Sequence, residues 1–402
     1  MVIMALDHTR DYFYLGALVN NPTDLAITTP VIFFTRFITH FCAPAFVFLA
    51  GTSAFLYGSR KTKPEVSKFL ITRGMWLIFV EIAIMNFIWF FDISYSTILL
   101  QVIFAIGFSM IVLGTLIYLP QKAIFVLAMV LIAGHNLLDG ITMEGDSFPS
   151  IVWYTLHQHS FIEFSENFVM IFDYPVLPWI GVMALGYCFG GLYAKDFNVS
   201  RRKKWLLSLG IGSTALFFVL RGINIYGDLV PWTTQKNTIY TIMSFLNVTK
   251  YPPSLSFLLM TLGPAFLFLY TTESIKNKVT DFFLVFGRVP FFFYILHALT
   301  IHLFALLGLL ITGGDWKIMI LDWRAIMLSE SVLADGKLAG YGYPLWAVYL
   351  IWIGIVLLLY PLSKKYMIYK ASNKDKRWLS YLYNILTVIS CLGLFLLPSE
   401  IL

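Results

Sequence analysis

Residues 288–312 read RVPFFFYILHALTIHLFALLGLLIT, an apolar run with one arginine at its start, two histidines inside it and no acidic residue. A run of roughly 17–25 apolar residues is long enough to cross the hydrocarbon core of a bilayer as an α-helix. Runs of the same kind recur at about 31–57, 68–91, 97–118, 122–138, 176–193, 205–221, 254–271, 345–363 and 381–397. A further run, 1–19, is short at its front. The composition agrees: of 402 residues, 59% are hydrophobic, 17% aromatic and only 12% charged, with mean hydropathy +0.78. A soluble domain carries about 25% charged residues, so too little polar surface remains here for a water-facing shell. The expected fold class is all-α, a polytopic transmembrane helical bundle of about 10–11 spanning helices.

Charge supplies the orientation, because Lys and Arg collect on the cytoplasmic side. Basic residues cluster in three connections: Arg60, Lys61, Lys63 and Lys68; Lys195, Arg201, Arg202, Lys203 and Lys204; and Lys364, Lys365, Lys370, Lys374, Lys376 and Arg377. Alternating helices put all three on one side. Segment 139–175 instead carries Asp139, Glu144, Asp146, Glu163, Glu166 and Asp173 and no Lys or Arg, so it faces outward. The other long connections, 222–253 and 313–344, are aromatic-rich like 139–175 and are expected to pack over the outer mouth. The net charge of +6 sits in the inner loops, where it suits anionic headgroups or an anionic cytosolic substrate; nothing supports nucleic-acid binding. Cys42, Cys188 and Cys391 are isolated, without the spacing of a disulfide framework or a thiolate metal site.

An ionisable residue at membrane depth is costly and by default marks function. His8 and Asp11 lie three apart on one face of the first helix, beside Asp7. A carboxylate next to an imidazole fixes its tautomer, as a general base requires; a helix end reaching water is the plainer reading. Arg36 and His40, four apart, also share a face and need an anionic partner, for which Asp7 or Asp11 is nearest in sequence. His297 and His302 are five apart and point to different faces, so at least one is expected to be a satisfied core histidine. Arg288 stands at the inner end of that helix, where it could hold a phosphate. His135, Asn136, Asp139, His157, His159 and Asp173 gather histidines and carboxylates, but no spacing matches a known ligand pattern, and no metal is expected. For Arg221, Asn224, Asp228 and Lys250-Tyr251-Pro252-Pro253-Ser254, structural roles lead. Glu81 is alone in its helix, with no evident partner.

Four stretches carry a family resemblance: Met4 through Phe13 (MALDHTRDYF), His40 through Gly51 (HFCAPAFVFLAG), Lys250 through Leu255 (KYPPSL), and Phe286-Gly287-Arg288-Val289-Pro290 leading to Tyr294-Ile295-Leu296-His297. In this order they resemble the bacterial membrane proteins grouped with the heparan-alpha-glucosaminide N-acetyltransferase catalytic domain. The resemblance implies a transmembrane acyltransferase-like domain over 1–382, followed by an extra C-terminal hydrophobic segment, 383–402. It also implies transfer of an acetyl or other acyl group from cytosolic acetyl-CoA, the acyl-donor substrate, to a sugar or glycan acceptor on the outer face. Related families carry an Arg eleven positions before the first-helix histidine; His8 would be that histidine, and the Arg would precede Met1, so the first helix is expected to be N-terminally truncated. The lysosomal member's essential histidine lies in its first outer loop. The matching stretch here, Asn20 to Pro30, has none, so heparan as acceptor does not carry over.

The expected catalytic set is thus His8 and His40, with Asp7 and Asp11 as orienting carboxylates, Arg36 for the oxyanion and His297 third. Arg288 and Lys250 are the expected cofactor-binding residues, and both direct transfer and an acyl-histidine remain open. Expected partners are the lipid bilayer, acyl-CoA and a carbohydrate acceptor; a homodimer is left open, and the expected location is a bacterial inner membrane with the basic loops cytoplasmic. The rival reading is a proton-coupled transporter or flippase using the same buried His, Asp and Arg residues as a relay.

Overall fold

The computed structural model describes residues 1–14, 17, 21–313, 316–320 and 342–373. The span expected at 381–397, the segment 383–402, Cys391 and most of connection 313–344 lie outside them. Among the described residues, seven helices are long and apolar enough to cross a membrane: Pro30–Gly58, Lys63–Phe90, Gln121–Leu138, Val199–Ile223, Leu255–Thr272, Pro290–Thr312 and Leu345–Ser372. The stretches read as spans at 97–118 and 176–193 form shorter apolar helices, Val102–Leu116 and Leu177–Tyr193. The protein is a polytopic helical bundle.

The chain divides into two compact units. The first contains Met1–Asn21, Ile88–Phe91 and Ile275–Leu402. Its helices are α1 (Val2–Phe13), the end of α5 (Asn86–Phe90), α13 (Lys278–Arg288), α14 (Pro290–Thr312) and α15 (Leu345–Ser372). Helix α14 is the core: Phe293, His297 and His302 along it are buried. Pro290 opens it at a position whose amide needs no helical partner. Helix α1 packs on α14 and α15. Both its ends are tied down, by Trp352 Nε1 donating to the Val2 carbonyl (2.8 Å) and the Tyr343 amide donating to the Phe13 carbonyl (2.8 Å).

The second unit contains Pro22–Phe87 and Asp92–Ser274. The run expected as one helix over 31–57 is two, α2 (Pro30–Thr39) and α3 (Cys42–Gly58). The cause is Pro44: without an N–H it cannot bond the carbonyl four residues back, at His40, and the helix breaks there. Helix α4 (Lys63–Phe79) continues through a π-helical turn, Val80–Met85, into α5, and packs on α6 (Val102–Leu116). The π turn carries Glu81, fully buried. Its Oε1 accepts from the Gln101 amide (3.3 Å) at the start of α6, the partner that the sequence did not disclose.

The remaining helices of this unit are α7 (Gln121–Gly134), α8 (Phe148–Leu156), α9 (Leu177–Phe189), α10 (Val199–Ile223), α11 (Thr238–Leu246) and α12 (Leu255–Thr272). Helices α3 and α9 meet backbone to backbone. A Cβ at Gly51 would lie 2.0 Å from the Met183 carbonyl oxygen, and one at Gly186 would lie 2.1 Å from that of Phe48. Thr52 Oγ1 donates across the contact to the Gly186 carbonyl, at 3.0 Å. Small residues and hydroxyl cross-links are how helices associate where lipid is as apolar as leucine.

A three-stranded sheet, which the helical reading did not anticipate, lies in this unit. Strand β1 (Thr97–Leu100) runs parallel to β3 (Phe168–Phe172), and β3 pairs antiparallel with β2 (Ser160–Ser165). Ile98, Leu100, Ile162 and Phe172 pack with Tyr154 of α8 beneath it. Segment 139–175 is therefore a folded cap of helix and hairpin.

Candidate functional site

In the first unit, Asp7, His8, Arg10 and Asp11 stand on successive turns of α1. Arg10 Nη2 lies 2.9 Å from Asp7 Oδ1 and 2.6 Å from Asp11 Oδ1. The guanidinium is 3% exposed, so one buried cation holds both carboxylates. Arg10 meets Asp7 at the three-residue helical spacing that brings side chains together and Asp11 as its immediate neighbour in the chain. His8 Nδ1 lies 3.9 Å from Asp11 Oδ2, in ion-pair range but beyond a hydrogen bond.

His8 also meets aromatic and imidazole rings of its own unit. Its centroid is 4.6 Å from that of Trp89 and 5.3 Å from that of His297. His297 is fully buried on α14, and its Nδ1 lies 2.9 Å from the Phe293 carbonyl. A nitrogen facing a carbonyl is the protonated one, so Nε2 carries the lone pair. That Nε2 has no hydrogen-bond partner among the described residues, and neither has the buried Trp89 Nε1 donor. An unmet acceptor and an unmet donor thus accompany a carboxylate-linked histidine.

His302 has the opposite fate. Its nitrogens face the carbonyls of Ile88 (2.6 Å) and Met319 (2.8 Å), and its ring stacks on Phe91 at 3.8 Å. A neutral ring has one N–H and donates it to one of the two carbonyls, which makes His302 the core histidine of the pair. Arg288 ends α13, exposed, with Lys370 Nζ donating to its carbonyl at 3.3 Å.

Arg36, His40 and Lys250 belong to the second unit. Arg36 Nη2 donates to the Tyr251 hydroxyl (3.4 Å) and Nη1 to Thr39 Oγ1 (3.5 Å). Lys250 Nζ lies over the Tyr251 and Tyr174 rings at 4.8 and 5.5 Å. His159, beside Tyr251, reaches Asp173 Oδ1 at 3.3 Å. Burial, with Tyr251 alongside, pushes the Tyr174 hydroxyl well above its ordinary range, so it stays a neutral donor. The structure thus joins Arg36 and Lys250 around Tyr251. His40 is buried against the rings of Phe37 and Phe257. Arg221, expected to be structural, donates to the carbonyls of Phe245, Val230, Ser244 and Asn247.

Sequence reasoning missed Arg10 as a site residue, and Trp89 altogether. Arg10 was legible from its spacing; Trp89 is one aromatic in an apolar run and gave no signal. Among known proteins, the family described as heparan-alpha-glucosaminide N-acetyltransferase, catalytic, matches residues 1–223. That match takes in Asp7, His8, Arg10, Asp11, Arg36, His40 and Trp89 and stops before Lys250, Arg288 and His297. No curated protein and no solved structure matches.

Proposed function

Because the chain belongs to the heparan-alpha-glucosaminide N-acetyltransferase catalytic family, we propose that it is a membrane-embedded acyltransferase. It would move an acetyl or related acyl group from cytosolic acyl-CoA to a sugar or glycan hydroxyl or amine on the far side of a bacterial inner membrane. The observation that carries this reading is the His8–His297 pair, in which one imidazole adjoins Asp11 and the other presents an unpartnered Nε2.

The chemistry follows from those atoms. His297 Nε2 accepts the acceptor's proton as its oxygen or nitrogen attacks the thioester carbonyl. Trp89 Nε1 is the unspent donor available to the carbonyl oxygen as charge develops there, an arrangement effective where water is excluded. The C–S bond then breaks and the proton passes to the departing thiolate, giving free coenzyme A and the acylated acceptor. His8, balanced by Asp11, can carry the proton between these steps. Arg10 offsets one of the two negative charges of Asp7 and Asp11, which weakens their opposition to an anionic donor. The exposed basic end of α13 and α15, with Arg288 and Lys370, suits the coenzyme A phosphates. From Pro290 to His297 is seven residues of helix, about 10 Å, a distance for the acyl-pantetheine arm to cover.

The test is to incubate the purified protein with radiolabelled acetyl-CoA and a panel of sugars and lipid-linked glycans, beside His8→Ala and His297→Ala. Label moved by the parent and lost in both variants is the expected result. A folded parent that neither binds acetyl-CoA nor transfers label overturns the reading, and proton-coupled transport becomes the next hypothesis to measure.

A further inference from the structure

A second pair of histidines lies in the other unit, and nothing in the acyl-transfer scheme uses it. His135 opens the 3-10 turn His135–Leu138 that closes α7, and Asp139 caps that turn. His157 caps the C-terminal end of α8. The two histidines are 2% and 3% exposed, with ring centroids 5.5 Å apart and nearly perpendicular. His157 Nε2 lies 3.1 Å from Asp139 Oδ1. One ligand atom from each of the three side chains lies within 4.8 Å of the others.

We propose that His135, Asp139 and His157 form a binding site for one first-row divalent cation of the zinc type. The lone pairs point to it first. Among the described residues, neither nitrogen of His135 makes a hydrogen bond of normal geometry, although the Pro253 carbonyl faces the ring, and His157 Nδ1 has no hydrogen-bond partner either. A neutral imidazole has one N–H and one lone pair, and burial without partners wastes both. A cation takes the lone pair, at about 2.0–2.1 Å for zinc.

The carboxylate is also held as a ligand's should be. Asp139 Oδ2 accepts from Asn136 Nδ2 at 2.8 Å, while Asn136 Oδ1 accepts from the Leu255 amide at 2.9 Å. Such an outer layer fixes the orientation of a coordinating group and tunes it. Charge points the same way: the segment 139–175 contains no Lys or Arg to balance its acids.

Two imidazoles and one carboxylate select the ion class. Nitrogen donors favour zinc, copper, nickel or cobalt over magnesium and calcium. Three protein ligands leave a fourth tetrahedral position for water, and around a tetrahedral zinc the ligand atoms stand about 3.4 Å apart. The ion would pin the cap formed by α8 and the β2–β3 hairpin to the end of α7. Sequence spacing concealed the site because His157 comes from beyond a whole loop and helix.

The experiment uses tag-free protein in detergent, stripped with a chelator and dialysed against zinc chloride or cobalt chloride alone. Expected are about one zinc per chain by elemental analysis, visible absorption of tetrahedral cobalt, and a higher unfolding temperature with zinc. His135→Ala and His157→Ala should lose the zinc and the temperature shift, and Asp139→Asn should bind at least tenfold more weakly. His159→Ala, whose imidazole pairs with Asp173 outside the triad, should bind as the parent does. If a triad variant fails to fold, the cobalt spectrum of the folded parent decides alone. A folded parent without stoichiometric metal or tetrahedral absorption overturns the proposal, as do folded triad variants that keep their zinc.

Discussion

The two histidine pairs have nearly the same spacing, 5.3 Å between His8 and His297 and 5.5 Å between His135 and His157, yet their surroundings assign them different chemistry. Around His8 there are two carboxylates and a buried cation, Arg10, that already answers them. Around His135 there is one carboxylate, steadied by an amide, and no arginine or lysine in the segment that supplies two of the three groups. In the first pair a backbone carbonyl takes one N–H and leaves a single lone pair aimed inward, which is what proton transfer needs. In the second, three ring nitrogens lack a hydrogen bond of normal geometry among the described residues, and each imidazole has one lone pair to give a cation. Histidine spacing alone would not have told them apart; the presence of a cation beside the carboxylates and the number of ring nitrogens without a hydrogen bond do.

The largest effect should separate the pairs by activity. Replacing His297 by alanine is expected to lower acyl transfer by about 10²–10⁴-fold, the usual worth of a positioned general base, with zinc content unchanged. His157→Ala should do the reverse first, losing metal before turnover. Parallel transfer assays and elemental analysis on the two variants would break the comparison if His157→Ala stopped transfer in a protein that still held its metal.

Next in size is Arg10→Gln. Removing one partner of a buried ion pair costs roughly 3–5 kcal/mol when the remaining charge is sealed in. Asp11 is 43% exposed and can turn to water, so the loss should sit at the lower end of that range, carried by Asp7. Denaturant or thermal unfolding in detergent measures it. Parental stability in Arg10→Gln would mean that the carboxylates do not depend on this cation, and the contrast between the two pairs would lose its first ground.

His302→Ala gives a smaller and purely structural effect. It removes the ring that lies between the Ile88 and Met319 carbonyls; a neutral imidazole donates to one of them, and a lost hydrogen bond typically costs about 0.5–1.5 kcal/mol, so a loss of about that size is expected, with the transfer rate per folded molecule retained. A lost rate at retained stability would move His302 into the working set and His297 out of it.

These sites were unequally legible. The spans announced themselves because a bilayer demands long uninterrupted apolar runs, and 288–312 is one. The break in 31–57 was written at Pro44, in one missing N–H. The sheet was not legible, since Thr97–Leu100 merges into the apolar run that follows and its partner β3 lies about 70 residues on. Asp7, His8 and Asp11 could be grouped because helical spacing is local. What could not be read was which distant groups close each cluster: Trp89 and His297 for one, His157 for the other. Within α1 itself the cation beside Asp7 and Asp11, Arg10, was written in the sequence at short range.

The smallest expected effect is a pH dependence that belongs to neither pair and so calibrates both. Asp92 is partly buried, which by itself would raise its pKa. The amides and hydroxyls of Ser94 and Ser96 nonetheless donate to it at 2.5–2.9 Å and hold it below its ordinary value of 3.8. A carboxylate depressed in the folded state adds stability above its unfolded pKa and loses it as pH falls through the folded one. Asp92→Asn should therefore unfold at a lower temperature than the parent at neutral pH, and the difference should shrink on acidification below about pH 4. Metal release from the His135 triad on acidification is a competition between cation and proton for the same ring nitrogens, and zinc content against pH follows it separately. An acid step in the unfolding profile that is kept in Asp92→Asn and removed in His157→Ala would belong to the metal site; one that is removed in Asp92→Asn alone would belong to Asp92.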